Sequence, residues 1–225
     1  MYFMLKGSDK DGEFSDIGRD KFFRILKERS LLIKRRARTG APGTDSRNTK
    51  TVYPNLKKGR NISHINELVE SDMTAIRIKD GYKPLSICID VYSRKVTGYK
   101  LSHNWSANET VNALREAYKE SGQNLKNCIH HSDQGKQYGS DLYAEVRQSF
   151  GMVGSMSRKA TPTDAAHIER VNRTLKREFN LRRQFSTFEE AEQAIYFAIL
   201  TYNELRPHWS LHLKTPSQVY AEGLK

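Results

Sequence analysis

The sequence has few cysteines, no long apolar run and a shortage of acidic residues. Only Cys88 and Cys128 occur among the 225 residues, too few for a disulfide framework or a cysteine-rich zinc site. No stretch approaches the roughly 18 apolar residues of a membrane helix, and the apolar start at residues 1–5 gives way at once to charge. These absences predict a protein of the reducing cytoplasm that has no membrane partner.

Basic residues outnumber acidic ones by 38 to 26, which gives a net charge of +12. Such an excess is typical of proteins that bind a polyanion, and nucleic acid is the commonest. Hydrophobic residues make up 37% of the chain, enough for a packed core, which excludes wholesale disorder. The excess is uneven, because residues 1–63 carry +9, residues 64–154 carry zero and residues 155–225 carry +3.

The basic N-terminal quarter contains one predicted helix, starting near Asp16 or Gly18 and ending near Arg29. A basic cluster follows it, formed by Lys34, Arg35, Arg36 and Arg38. The cluster is either a solvated charge run or a contact to DNA phosphates, and the neighbouring helix favours DNA. Residues 1–62 are therefore interpreted as a basic segment with a partial helix-turn-helix-like region and a linker, and residues 63–225 as the core.

The neutral middle of the chain predicts an α/β fold with a five-strand mixed sheet flanked by helices. Alternating or continuous apolar runs predict strands at 73–78, 85–92, 96–101, 128–131 and 152–156. Ser106 and Ser140 are typical caps of two intervening helices, and only helices follow the fifth strand.

Carboxylates lie at or in these strands, namely Asp72, Asp90 and Asp133, and Glu169 follows on a helix predicted over 166–179. Oxygen ligands of this kind hold Mg²⁺, and two ions about 3.5–4 Å apart need a small set of them. On the helical wheel Glu169 lies about 115° from the apolar stripe, with Arg173 and Lys176 within about 40° of it. Taken alone, that face is typical of a solvated Glu–Arg pair, and the adjacent His130 and His131 are interpreted as structural.

The separate signals form an ordered pattern. The run His131-Ser-Asp133-Gln-Gly-Lys-Gln-Tyr138 resembles the His-Ser-Asp-x-Gly-x-x-Tyr motif of integrase-like DDE transposases. The family's Glu comes about 35 residues after this Asp, and 35 residues separate Asp133 from Glu169. Blocks at 70–76, 89–95, 164–178, 202–208 and 214–217 are also similar. The nearest group is the bacterial insertion-sequence transposases whose catalytic half is encoded in a second reading frame and fused by frameshifting.

The resemblance implies a ribonuclease-H-like fold in which Asp72, Asp133 and Glu169 are the catalytic metal ligands and Asp90 is structural. It implies two Mg²⁺ ions, for which Mn²⁺ substitutes, that activate a hydroxyl and stabilise the leaving 3′-oxygen at phosphorus. Two further sets of residues are implied: DNA contacts at Arg170, Arg173 and Lys176, and residues near the site that hold no metal, Asp164 and His131. The chain departs from the family pattern at Val69, where Trp is usual, and at Ala165, where Asn is usual.

The function implied is cleavage and strand transfer of DNA during transposition of an insertion sequence. Expected partners are double-stranded DNA (element ends and target), further copies of the chain on that DNA, and an upstream-frame helix-turn-helix protein. The expected location is the bacterial cytoplasm, at the nucleoid. The alternative is a truncated, catalytically incomplete DNA-binding regulator of a full-length transposase, and a third interpretation is a ribonuclease-H-like nuclease without joining activity.

Overall fold

A computed structural model describes residues 17–31, 51–158 and 161–224. The elements within these ranges, in chain order, are α1 (Arg19–Glu28), β1 (Leu68–Ile78), β2 (Gly81–Asp90), β3 (Val96–Leu101), α2 (Ala107–Glu120), β4 (Ile129–Ser132), α3 (Asp141–Ser149), β5 (Val153–Met156), α4 (Ala166–Glu178), α5 (Phe188–Glu204) and α6 (Pro216–Gly223). Short 3₁₀ turns precede α4 and α6. No helix among the described residues is long and apolar enough to cross a membrane.

The five strands form one mixed sheet in the order β3-β2-β1-β4-β5. β1, β2 and β3 pair antiparallel through tight connections, whereas β4 and β5 run parallel to β1. Helices α2 and α3 supply the crossovers that parallel neighbours require. The predicted order of strands and helices is confirmed, although β1 begins at Leu68, five residues before the predicted start at Met73.

Each face of the sheet is covered by two helices. One core contains Ile76 and Ile78 of β1 with the apolar stripe of α4 and the inner face of α5. The other contains Val69 and Met73 of β1 with α2 and α3. Alternate residues of β1 therefore belong to opposite layers, as expected of a central strand buried on both sides.

The C-terminal motifs hold the helices on the sheet. Asn203, in the last turn of α5, accepts from the Val96 N–H at 3.0 Å and donates to the Val96 carbonyl at 2.9 Å. Tyr202 donates to the Arg94 carbonyl at 3.2 Å. Thr215 and Gln218 form a reciprocal capping box that begins α6. These residues, which the sequence marked only as part of the family signature, have structural contacts.

Candidate active site

Asp72 and Asp133 are neighbours because of strand register. β1 and β4 are parallel, with Ser71 opposite Ser132, so the next residues along are Asp72 on β1 and Asp133 just past the end of β4. Adjacent strands lie about 4.8 Å apart, and side chains at matching positions of two parallel strands point to the same face of the sheet. That face is the one on which Ile76 and Ile78 meet α4. Both carboxylates are half-buried.

The segment after Asp133 is fixed by hydrogen bonds. Asp133 Oδ1 accepts from the Gly135 N–H at 2.8 Å, an Asx-type turn. The Tyr138 N–H donates to the Gly135 carbonyl at 3.0 Å. The Tyr138 ring is buried, and its pKa is raised well above the usual value by burial, by Tyr143 and by the charges of Asp72 and Asp133. The end of the motif therefore packs behind the two carboxylates.

Helix α4 presents the third carboxylate. Its buried residues are Ile168, Val171, Asn172 and Leu175, whereas Glu169 in the first turn is exposed. Asn172 lies one turn after Glu169, and its Nδ2 donates to Asp72 Oδ2 at 2.8 Å. This bond ties α4 to β1 directly at the candidate site. The sequence reasoning missed Asn172, although a polar residue three positions after Glu169 on the buried side of the helix was a detectable signal.

The electrostatics of Asp72 depend on its neighbours. Burial first, and then the charges of Asp133 and Glu169, raise the pKa of Asp72 from the usual 3.8 to about 7. The hydrogen bond from Asn172 acts in the opposite direction. Carboxylates that repel one another in this way are characteristic of a place where a cation belongs.

The site fits Mg²⁺ by its donor chemistry, since Asp72, Asp133 and Glu169 all supply the oxygen ligands that this ion prefers. Within the described ranges, however, no three acidic, His or Cys side chains stand close enough together to form a complete metal centre. Among the same residues, Asn172 Oδ1 is buried and lacks a hydrogen-bond partner. It is a further oxygen acceptor beside Asp72.

Basic side chains surround this cluster to different degrees. Lys176 is half-buried; burial lowers its pKa, and the charge of Asp72 acts against that shift. Arg173 is exposed on the same helix, and Arg170 is exposed and contributes to lowering the pKa of Arg94. The predicted phosphate contacts Lys34, Arg35, Arg36 and Arg38 lie outside the described residues.

Two related protein families match the sequence, and together they cover residues 63–216. The family Integrase core domain matches residues 63–162, and a second Integrase core domain family matches residues 151–216. The insertion element IS600 uncharacterized 31 kDa protein of Shigella sonnei is 31% identical over 89% of this chain and 74% of its own length. The chain belongs to the integrase-core family of bacterial insertion sequences. The predicted family is thereby confirmed, and the frameshift-fused origin stays a prediction.

Other integrase-core proteins extend the comparison. The transposase for insertion sequence element IS904 of Lactococcus lactis is 39% identical over 67% of this chain and 60% of its own length, so the chain spans less than two thirds of that relative. The HTLV-2 integrase catalytic core domain, solved in complex with magnesium, has a TM-score of 0.55 and 21% identity, and covers 69% of this chain and 96% of its own. This likeness confirms the predicted ribonuclease-H-like fold.

The remaining predicted residues of the integrase core have defined contacts. Asp164 forms an ion pair with Arg158, whose Nε lies 3.2 Å from Asp164 Oδ2. The hydrogen bond with Arg158 is the main cause that lowers the pKa of Asp164 to about 2. His131 is fully buried, and its ring nitrogens lie 2.9 Å from Ser155 Oγ and 3.0 Å from Ser157 Oγ, so it ties β4 to the end of β5. Both residues therefore fix the end of β5 and the segment just after it, and their place beside a metal site stays a prediction.

Asp90 and Glu70 show how carboxylates of similar appearance differ in role. Asp90 accepts from the Asn66 N–H at 2.8 Å and from the N–H and Oγ of Ser93 at 2.8 and 2.6 Å, as a residue that holds a turn does. Glu70 was missed by the sequence reasoning. It is fully buried beneath the start of α4, where its Oε2 accepts from the Ile168 N–H at 2.9 Å.

Proposed function

We propose that the chain is the catalytic part of a DDE transposase, a two-metal polynucleotidyl transferase that cuts and joins DNA for an insertion sequence. The observation that carries the proposal is the strand register that brings Asp72 beside Asp133, together with the hydrogen bond from Asn172 that ties the helix of Glu169 to Asp72. Burial, and then the charges of Asp133 and Glu169, raise the pKa of Asp72 to about 7, in keeping with such a cluster. Membership of the integrase-core family supports it, as does the magnesium complex of the HTLV-2 integrase core.

In this proposal Asp72, Asp133 and Glu169 would hold the two metal ions. Bound Mg²⁺, or Mn²⁺ in its place, would supply Lewis acidity to the attacking hydroxyl and to the leaving 3′-oxygen. Asn172 orients Asp72 by its hydrogen bond, and the turn after Asp133 fixes the second carboxylate. Because Glu169 is exposed on its helix and the three groups do not form a closed site, they would converge only around the metal.

The test is a strand-transfer assay on labelled element ends with Mg²⁺ or Mn²⁺. Asp133→Asn removes a charge without changing shape, so we expect product to fall by at least about 10³-fold while the circular dichroism spectrum stays unchanged. Asp80 is exposed in a turn, so Asp80→Asn is the matched control. We expect this variant to form as much product as wild type. Product formation by Asp133→Asn at the wild-type rate would refute the assignment.

The regulator alternative predicts a different outcome. A DNA-binding regulator binds element ends but yields no joined product under any metal, alone or fused to an upstream helix-turn-helix domain. Joined product that arises only from the fusion would support the proposed upstream-frame partner. Cleaved but unjoined DNA would favour the nuclease interpretation.

We further propose that α4 faces DNA. Arg170, Arg173 and Lys176 lie on the helix that carries Glu169, where Arg170 and Arg173 are exposed and Lys176 is half-buried. Arg173→Ala with Lys176→Ala should weaken DNA binding and make the slope of log K against log salt shallower by about two. Lys79→Ala with Lys126→Ala removes the same charge from two exposed turns and should leave the slope unchanged. If the double α4 variant has the wild-type salt slope, the proposal that α4 contacts DNA is wrong.

The N-terminal segment, residues 1–62, is proposed as a second DNA contact that precedes the core at 63–225. Replacing Lys34, Arg35, Arg36 and Arg38 by Gln should weaken binding to any DNA sequence and lower the salt slope by up to about four. Unchanged affinity would contradict the assignment. The partners proposed are element ends, target DNA and further copies of the chain, within the bacterial cytoplasm at the nucleoid.

A further inference from the structure

A buried polar cluster lies where α4 begins, beside the candidate metal site. Both oxygens of Glu70 are used: Oε2 accepts from the Ile168 N–H at 2.9 Å, and Oε1 lies 3.3 Å from His167 Nδ1 and pairs with Lys57 Nζ. The Glu70 side chain has no exposed surface, and that of Lys57 is only 14% exposed. Charges so far from solvent are tolerated only when they are paired and hydrogen-bonded, as these are.

The cluster replaces a cap that α4 does not have. The N-cap residue is Ala165, and no side chain of its own caps the helix. The first N–H groups of any helix need acceptors from elsewhere. Glu70 supplies one from β1, and Lys57 Nζ donates to the Asp164 carbonyl at 2.6 Å, which fixes the turn that leads into the helix.

Two anchors of equal spacing then hold α4 along β1. Glu70 binds Ile168 and Asp72 binds Asn172. Two residues of a strand advance about 6.6 Å, and four residues of an α-helix advance about 6 Å, so both bonds can form at once. Glu169 directly follows the first anchor, and its position relative to Asp72 therefore depends on Glu70.

Lys57 connects this arrangement to the chain that enters the core. Its segment is attached to β5, because the Leu56 N–H donates to Ser155 Oγ at 2.9 Å and the Met156 N–H donates to the Pro54 carbonyl at 3.4 Å. The segment therefore passes the edge of the sheet before Lys57 reaches under α4. A displacement of this segment would therefore move Lys57 and disturb its contacts with Glu70 and with the turn that leads into α4.

We propose that Glu70 and Lys57 are positioning residues of the metal site, which fix the first turn of α4 on β1 and so set the separation of Glu169 from Asp72. The proposal rests on the proposed function, since it assigns these residues to the same metal centre. Neither residue would touch the metal or the DNA.

The test compares Glu70→Met with the double variant Lys57→Met plus Glu70→Met in the full chain. Binding of Mn²⁺ is measured by electron paramagnetic resonance of the free ion, and stability by urea unfolding. The single variant leaves Lys57 as a buried unpaired cation, so it should lose both stability and metal affinity. The double variant should regain stability, because both charges are gone, yet bind Mn²⁺ about 10- to 100-fold more weakly than wild type, because Ile168 remains unanchored.

Glu67→Met is the matched control. Glu67 also accepts a backbone N–H, from Ser63 at 2.9 Å, but this bond lies in the segment before β1. We expect wild-type Mn²⁺ affinity from this variant. Wild-type affinity in the double variant would overturn the proposal and leave the cluster a purely structural one. Asp72→Asn separates the two levels of inference: if it too binds Mn²⁺ like wild type, the proposed metal centre itself fails.

Discussion

Asp72 couples the candidate chemistry to the stability of the fold. Its pKa in the native state is about 7, against the usual 3.8, because of burial and the charges of Asp133 and Glu169. Between these values the native state binds more protons than the unfolded chain, so the free energy of unfolding decreases as pH rises. The stabilising contribution is complete below about pH 4 and is lost above about pH 7.

We therefore expect Asp72→Asn to be more thermostable than wild type at pH 8 in EDTA, and the difference to shrink towards pH 5. Each kcal/mol of repulsion relieved corresponds to about 2–4 °C in a domain of this size. Saturating Mg²⁺ should raise the melting temperature of wild type at pH 8 more than at pH 5, and that of Asp72→Asn little. If the difference in melting temperature between the two proteins in EDTA is the same at pH 5 and at pH 8, the raised pKa of Asp72 is contradicted.

At the same scale, the sequence could select Asp72, Asp133 and Glu169 as candidates because their types and spacing match a motif, and their role as metal ligands stays a prediction. It could not reveal the contacts of Glu70 and Asn172. Those contacts arise from register between β1 and α4, elements that are about 100 residues apart in the chain. Asp72 and Asp90 are equally plausible by composition. The family resemblance alone separated them in the sequence, and the hydrogen bonds of Asp90 now show that it holds a turn.

At the scale of elements, the packing of β3 against α2 leaves no room at Gly98. A Cβ there would lie 2.1 Å from the Ala113 carbonyl oxygen and 2.6 Å from the Ala117 nitrogen, both backbone atoms that cannot move away singly. Gly98→Ala should cost about 3 kcal/mol in urea unfolding. Gly18→Ala, with no atom within 4 Å and an ordinary φ of −67°, should change stability by less than about 1 kcal/mol. Equal stability of the two variants would refute this close approach.

The elements themselves were largely predictable, since their periodicity is local. Ser106 and Ser140 cap α2 and α3, as their sequence context indicates. The early start of β1 was missed because residues 68–72 include Glu70, Ser71 and Asp72, which are polar. Glu70 and Asp72 accept hydrogen bonds from α4, and Ser71 forms hydrogen bonds with Cys88 and His130. These tertiary contacts override the local preference of the polar residues for a loop.

At the scale of the whole molecule, an apolar patch on α5 lies next to the edge of the sheet. Tyr196, Phe197 and Leu200 are 51%, 61% and 42% exposed, on a helix whose opposite side is buried. They border a groove between edge strand β3, α2 and α5 whose rim carries both signs of charge, for example Lys100 and Glu192, which are 3.7 Å apart. Exposed edges and clustered aromatics of this kind favour association, and a rim of both signs suits a second copy of the same surface.

We expect this patch to support the self-association proposed for the chain on DNA. Tyr196→Glu with Phe197→Glu places like charges on both sides of such an interface, so the sedimentation coefficient should fall to that of a monomer. Tyr82→Glu with Leu224→Glu changes two other exposed apolar residues and should leave the assembly intact. In a strand-transfer assay, loss of paired-end product with retained single-end binding would link the patch to the proposed function. A double α5 variant that still sediments like wild type would locate the interface elsewhere.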